Sequence, residues 1–221
     1  MNVIYQDSDI LIVSKPYGML SQGSEKSSND IITLLKAENG ETVFPVHRLD
    51  RTTGGLMVFA KNKISAAKLS EQISDKRFKK VYLAVCPDKI KPDKGEMRDI
   101  LFFDRTKNKS FTVKKERKGA KSAELSYEKL SEGNFYDEKT ALFKIMLKTG
   151  RTHQIRVQFA SRGAPLLGDR RYGSQIKTEN IALWSYSLEF LHPAYEKQMY
   201  FSLLPKEDIF INLLSKVNNK V

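Results

Sequence analysis

Residues 46–60 read Val46-His47-Arg48-Leu49-Asp50-Arg51-Thr52-Thr53-Gly54-Gly55-Leu56-Met57-Val58-Phe59-Ala60. The first part is irregular and polar, and the last, Gly55 to Ala60, is an apolar run that predicts a buried strand. Downstream, Ala66, Leu69 and Ile73 fall at helical spacing between polar residues, so 64–76 is expected to be an amphipathic helix. Lys80 to Val85 then alternates as a strand does. Val81, Leu83 and Val85 point one way, Tyr82 and Ala84 the other, which leaves Tyr82 free to pack on a flat ring.

The pattern continues in both directions. Ile10 to Val13 reads as a strand stopped by Lys15-Pro16 and Tyr17-Gly18. Residues 22–30 (QGSEKSSND) read as a loop, and Ile31 to Lys36 as a short helix capped by Asn29 or Asp30. Ser122 to Leu130 and Ala141 to Leu147 alternate as half-buried antiparallel strands. Arg151 to Arg162 is expected to be a helix, with Ile155 and Phe159 on its buried face and His153, Arg156 and Ala160 along another. Gly163 suits the position just past its end. Gly168-Asp169 and Tyr172-Gly173 mark a turn, and Ala182 to Pro205 two strands joined at His192-Pro193. Residues 206–221 predict a short helix whose apolar surface comes from Ile209, Ile211, Leu213 and Leu214. Many strands with a few helices place the chain in the α+β class.

The chain has 221 residues, which favours one domain over two small ones. Its 40% hydrophobic and 29% charged residues are those of a globular protein rather than a disordered one. With 38 Lys and Arg against 26 Asp and Glu, the net charge is +12, a potential that attracts polyanions such as RNA. Residues 104–121 (DRTKNKSFTVKKERKGAK) concentrate this charge. They read equally as a solvated Lys-rich hairpin edge and as a basic finger that touches RNA backbone. One cysteine, Cys86, excludes an internal disulfide and reads as a small buried hydrophobe. The N-terminus lacks the pattern of a signal peptide, and no apolar run is long enough to span a membrane. The expectation is a soluble, cytoplasmic protein. His47, His153 and His192 show no ligand spacing, so neither metal nor other cofactor is expected.

Two stretches carry candidate chemistry. In 46–55 a single carboxylate, Asp50, lies among Arg48, Arg51 and His47. Opposite charges keep such a group ionised, a poor general acid but a good nucleophile or anion stabiliser. The paired glycines allow a tight backbone path beside it. A plain surface salt-bridge loop has the same composition. In 147–157, Arg151 and His153 stand at a basic helix start suited to phosphate, and Arg156 lies inside the helix, where a buried arginine requires a carboxylate partner.

VHRLDRTTGGLMVFAKN (46–62) resembles the signature of the RluA-type pseudouridine synthases, which reads close to H-R-L-D-x-x-T-S-G-L. KPYGMLSQ (15–22) is similar to that family's Lys-Pro-x-Gly segment and KKVYLAV (79–85) to its Lys-x-Tyr strand. LKTGRTHQIRVQFASRGAPLLGDRRYG (147–173) resembles its Thr-Gly-Arg-x-His-Gln-x-Arg helix and Gly-Asp-x-x-Tyr-Gly turn. LEFLHPAYEK (188–197) resembles its His-Pro strand pair. The order and spacing agree from about residue 3 to residue 205.

The resemblance implies a single catalytic domain over 1–221, a bent, mostly antiparallel or mixed sheet flanked by helices, without the separate N-terminal RNA-binding domain of some relatives. It implies isomerisation of uridine to pseudouridine in structured ribosomal or transfer RNA, with the base flipped from its stack. Asp50 would be the nucleophile, Tyr82 the contact to the base and candidate base for the C5 proton, and Arg156 the partner of Asp50. Arg48, and with it Arg151 and His153, would hold RNA. No cofactor is implied, and a monomer is expected. Departures from the pattern are Gly54 in place of Ser, Gln158 in place of His, and Trp184 where a Leu-His-Ala segment is common. A non-catalytic RNA-binding protein on the same fold is the alternative. A Ser or Cys hydrolase is discounted, since no nucleophile elbow or Cys–His arrangement occurs.

Overall fold

The computed structural model describes residues 2–23, 29–40, 42–115 and 117–217. Along the chain, β1 (Asn2–Gln6) and β2 (Ile10–Lys15) precede helix α1 (Ile31–Asn39), β3 (Phe44–Pro45), β4 (Gly54–Ala60) and α2 (Lys63–Ser74). Strands β5 (Lys79–Pro87), β6 (Lys94–Asp104), β7 (Lys109–Val113), β8 (Ala120–Phe135) and β9 (Glu138–Leu147) follow. Helix α3 (Gln154–Ala160), β10 (Leu183–Leu191), β11 (Gln198–Ser202) and α4 (Asp208–Leu214) complete it. The class is α+β, with mixed and mostly antiparallel strand pairing. Among the described residues no helix is long and apolar enough to cross a membrane.

The fold forms two compact units. The first is Met1–Val81 with Trp184–Leu204. Here β4 is buried along its whole length, as its apolar run requires, pairing antiparallel with β2 and β3 and parallel with β10. Leu56, Val58 and Ala60 share a core with Ile10, Ile12, Leu69, Phe78, Leu188 and Phe190. Each large side chain so buried contributes on the order of 2 kcal/mol. Asp30 caps α1 by accepting the Thr33 N–H at 3.1 Å, and Gly40 closes it in the left-handed region. Asn62 caps α2, and Asp9 accepts from both Asn62 and Ser65, tying the helix start to the β1–β2 turn. Only the ends of the expected 22–30 loop are seen, residues 24–28 lying outside the described set.

The second unit is Tyr82–Leu183 with Pro205–Val221, with strand order β5-β9-β8-β6-β7. Tyr127, Phe143 and Phe159 meet edge-on, with centroids 5.5–6.3 Å apart. Strand β5 is buried on both faces, and Tyr82, on the face opposite Val81, Leu83 and Val85, is 5% exposed. Cys86 is buried and free, and burial, then the Asp88 charge, pushes its thiol pKa up. Helix α3 is shorter than the expected Arg151–Arg162. The Gln154 Oε1 accepts from Arg151 N–H and Thr149 Oγ, and its Nε2 donates to Glu124 O, so 149–151 is folded against β8. His153 sits at φ 55°, which a helix cannot contain. In α4 the buried residues are Phe210 and Leu213, while Ile211 is exposed; residues 218–221 of the expected helix lie outside the described set.

Two of the departures from the family pattern touch each other. A Cβ at Gly54 would lie 2.6 Å from Trp184 Cζ3 and 3.0 Å from the Tyr17 ring. Trp184 thus fills the space that a side chain at position 54 would take. Gly54→Ser is expected to destabilise the protein by about 1–3 kcal/mol through overpacking. Combined with Trp184→Leu it should cost clearly less than the two single changes summed, in a urea-denaturation double-mutant cycle. Additive losses would show that the two positions are independent.

Candidate active site

The Asp50 loop is built from the first unit. Leu49 is clamped by Ser21, whose Oγ accepts the Leu49 N–H at 2.9 Å and donates to the Leu49 carbonyl at 2.8 Å. The Thr53 N–H donates to the Asp50 carbonyl at 3.0 Å, closing a turn directly before β4. Arg51 exchanges bonds with Gly18, Nε donating to the Gly18 carbonyl at 2.8 Å and its own carbonyl accepting the Gly18 N–H at 2.9 Å. Asp50 is therefore half-buried on a fixed backbone, with Arg48 exposed beside it.

The charges in this loop differ from those read off the sequence. His47 is not a cation. Its Nε2 accepts the Val58 N–H at 3.1 Å, so the proton of the neutral ring is on Nδ1. Burial, and then the charge of Lys80, hold its pKa down at about 3. The buried cation is Lys15, which the sequence placed only at the end of a strand. Fully enclosed, its Nζ donates to the carbonyls of Pro16 at 2.8 Å, Met19 at 2.7 Å and Arg51 at 3.3 Å. Burial lowers its pKa to about 8, the Asp50 charge opposing and the Arg51 charge assisting. The Lys-Pro-x-Gly segment was the available signal.

In the second unit the central group is Arg156, 3% exposed. Its Nε and Nη2 donate to Asp169 at 2.6 and 2.9 Å, a bidentate pair with a fully buried carboxylate. The Tyr172 ring lies 5.0 Å from the guanidinium carbon. The Asp-x-x-Tyr spacing of the 169–172 turn thus brings a carboxylate and an aromatic ring to one arginine. Sequence reading expected a carboxylate partner for Arg156 but did not identify Asp169. Arg151 and His153, expected at an open helix start, are half-buried and engaged. Arg151 Nε donates to the Ser122 carbonyl at 2.9 Å, and His153 Nδ1 lies 3.0 Å from the Tyr172 hydroxyl. Helix α3 is seven residues long, and at its start the Arg151 N–H donates to Gln154 Oε1 and the Gln154 N–H to the Arg151 carbonyl. Among the described residues no group of three or more His, Cys, Asp or Glu side chains could hold a metal ion.

Residues 9–161 match the RNA pseudouridylate synthase family. The chain belongs to that family. An uncharacterized RNA pseudouridine synthase of Aquifex aeolicus is 34% identical over 222 residues, 92% of this chain and 69% of that protein. The ribosomal large subunit pseudouridine synthase D of Borreliella burgdorferi is 33% identical over 227 residues, 96% of this chain and 67% of that one. An uncharacterized RNA pseudouridine synthase of Bacillus subtilis is 34% identical over 200 residues, 87% of this chain and 65% of that protein. This pseudouridine synthase chain therefore spans about two thirds of the length of these relatives. The fold is that of human RNA pseudouridylate synthase domain containing 1, with a TM-score of 0.78 at 20% identity over 92% of this chain and 83% of that one. Human RNA pseudouridylate synthase domain containing 4 gives 0.75 at 24% identity over 97% and 92%.

Lys15 provides a pH test of the loop. Its ordinary pKa of 10.5 falls to about 8 on folding, so between these values the unfolded chain holds a proton that the folded one has released. Stability rises with pH wherever the unfolded state binds more protons. The unfolding free energy of the wild type relative to Lys15→Met is therefore expected to be flat below pH 8 and to grow from pH 8 to 10.5, by urea denaturation at each pH. A difference that stays flat to pH 10.5 would mean that the three carbonyls keep the ammonium charged.

Proposed function

We propose that this pseudouridine synthase isomerises uridine in structured ribosomal or transfer RNA, with Asp50 as nucleophile, Tyr82 against the target base and Arg156 as the cation that pairs with Asp50. The observation that carries the reading is the position of these three residues in the family's motifs, within a segment matching that family. The fixed backbone on both sides of Asp50 supports it, because a nucleophile needs a held position more than a strong pKa shift. The buried, bidentate Arg156 supports it too, since a guanidinium so held keeps its charge and orientation.

The base is displaced from its stack, and Asp50 attacks either C1′ of the ribose or C6 of the ring. The N1–C1′ bond breaks, the uracil turns, a C5–C1′ bond forms, and the bond made by the Asp50 carboxylate breaks to return it free. The C5 proton leaves, with Tyr82 the candidate acceptor, and N1 ends protonated. Atoms balance without redox change or hydrolysis. Arg48 contacts the disrupted strand, and Arg151 and His153 also bind RNA. The enzyme works as a monomer in the cytoplasm on this reading, which its basic net charge and single buried cysteine support.

Residues 104–121 form the β6–β7 hairpin and the connection into β8, with residue 116 outside the described set. Lys114, Lys115, Arg117 and Lys118 are exposed, and Arg117 lies over the Phe102 ring at 3.5 Å. This supports the finger reading, with cations displayed on an aromatic base.

RNA tritiated at uracil C5, as ribosomal and as transfer pools, is expected to release tritium to water with the wild type and not with Asp50→Asn, which should still bind RNA. Release by both proteins would remove Asp50 from the chemistry, whereas wild-type binding without release would favour the non-catalytic alternative. Replacing Lys114, Lys115, Arg117 and Lys118 with Ala should weaken RNA binding and make its log–log salt slope shallower by roughly 3, about 0.7–0.9 for each phosphate that is no longer neutralised. An unchanged slope would return the segment to a solvated edge.

A further inference from the structure

The basic hairpin and Arg156 meet at one side chain. Tyr172, 9% exposed, packs with Leu101 of β6, Ala123 of β8 and Val157 of α3. Its hydroxyl accepts the backbone N–H of Ser110 in β7 at 2.8 Å and lies 3.0 Å from His153 Nδ1. On its ring lie two cations, the Arg156 guanidinium and the Lys109 ammonium, each at 5.0 Å. The same turn holds the rest of the hairpin. Arg171 Nη1 donates to the Lys107 and Asn108 carbonyls at the hairpin tip, at 3.1 and 2.9 Å. Ser110 Oγ donates to the Thr152 carbonyl at 2.6 Å, one residue before His153. Asp169, the partner of Arg156, accepts the Tyr172 and Ser174 N–H groups on its own carbonyl, both at 3.0 Å. A movement of β7 therefore acts on the phenol oxygen, and through a rigid ring on the guanidinium plane.

We infer that Tyr172 is a positioning residue that couples engagement of RNA by the β6–β7 hairpin to the placement of Arg156. The chemistry divides between two parts of one side chain. The ring supplies a π face to Arg156 and Lys109, and the hydroxyl fixes that ring to β7 and His153. Tyr172→Phe keeps the first part and removes the second. The inference rests on the catalytic reading of Arg156, and its test has a readout that does not need turnover.

The experiment uses the full chain, labelled with 15N. In the wild type the Arg156 Nε–H, bonded to Asp169, is expected to exchange slowly with water. Tyr172→Phe is expected to speed that exchange about tenfold, the scale of one lost hydrogen bond. It should lower kcat for tritium release by about the same factor while the RNA Kd changes by less than about threefold. A purely structural tyrosine would lower the melting temperature and leave kcat alone. Arg171→Ala loosens the hairpin tip from the opposite side and should shift the Arg156 exchange in the same direction; it carries the test if Tyr172→Phe fails to fold. Unchanged Arg156 exchange in the folded variants overturns the coupling, and faster exchange with an unchanged kcat overturns the positioning role. A wild type that binds RNA without releasing tritium sinks the catalytic reading instead, and the exchange comparison then decides the coupling alone.

Discussion

Strand β4 lies where it does because position 55 has no side chain. Gly55 pairs with Ser185 of the parallel strand β10 at φ 110°, and any Cβ there would overlap the Ser185 backbone. That close approach sets the register of the strand into which the Asp50 loop runs. It also explains why the loop turns so sharply, from the Asp50–Thr53 turn into a buried strand within one residue. Ser185 Oγ donates to the Leu56 carbonyl at 2.9 Å, reinforcing the contact one residue further on. Backbone packing thus fixes the loop that carries the nucleophile candidate.

Charge has a different task. Among the described residues two Lys or Arg residues, Lys15 and Arg156, are buried, each in its own unit, and each is satisfied in its own way. Arg156 has a carboxylate in its plane and a ring on its face, so removing Asp169 would leave it without its two-point partner. Lys15 has three carbonyl oxygens, which stabilise an ammonium without neutralising it. Its positive charge remains available to the carboxylate of Asp50 while the carbonyls fix the Pro16–Met19 turn against Arg51.

How far the sequence could be read follows from how local each feature is. The strand at β4 and the cap at Asp30 depend on neighbouring residues, and they were legible. The ends of α3 were not. Ile155 and Phe159 define a helical face but not where the helix begins, and Gln154 turns inward to bind Thr149, Arg151 and Glu124 while His153 leaves the helical region. Alternation sets Tyr82 opposite Val81, Leu83 and Val85, yet β5 is buried on both faces, and alternation reveals two faces without telling what covers them. The Arg156–Asp169 pair spans thirteen residues and two turns, a separation at which an arginine can be seen to need a carboxylate but not which one. His47 was counted as a cation from its residue type alone, and only the Val58 N–H on its ring shows otherwise.

Trp184 is the single tryptophan of the chain. Its ring covers Gly54 and lies 5.7 Å from Tyr17, while its indole N–H donates to the Leu203 carbonyl at 2.7 Å. It therefore touches the end of the Asp50 loop, the turn held by Lys15 and the strand pair that closes the first unit. Its emission is an intrinsic optical probe of that neighbourhood. Loss of the apolar enclosure would move the spectrum to longer wavelength with no label attached, so the state of the Asp50 loop can be followed in the unmodified protein, in real time, as RNA is added.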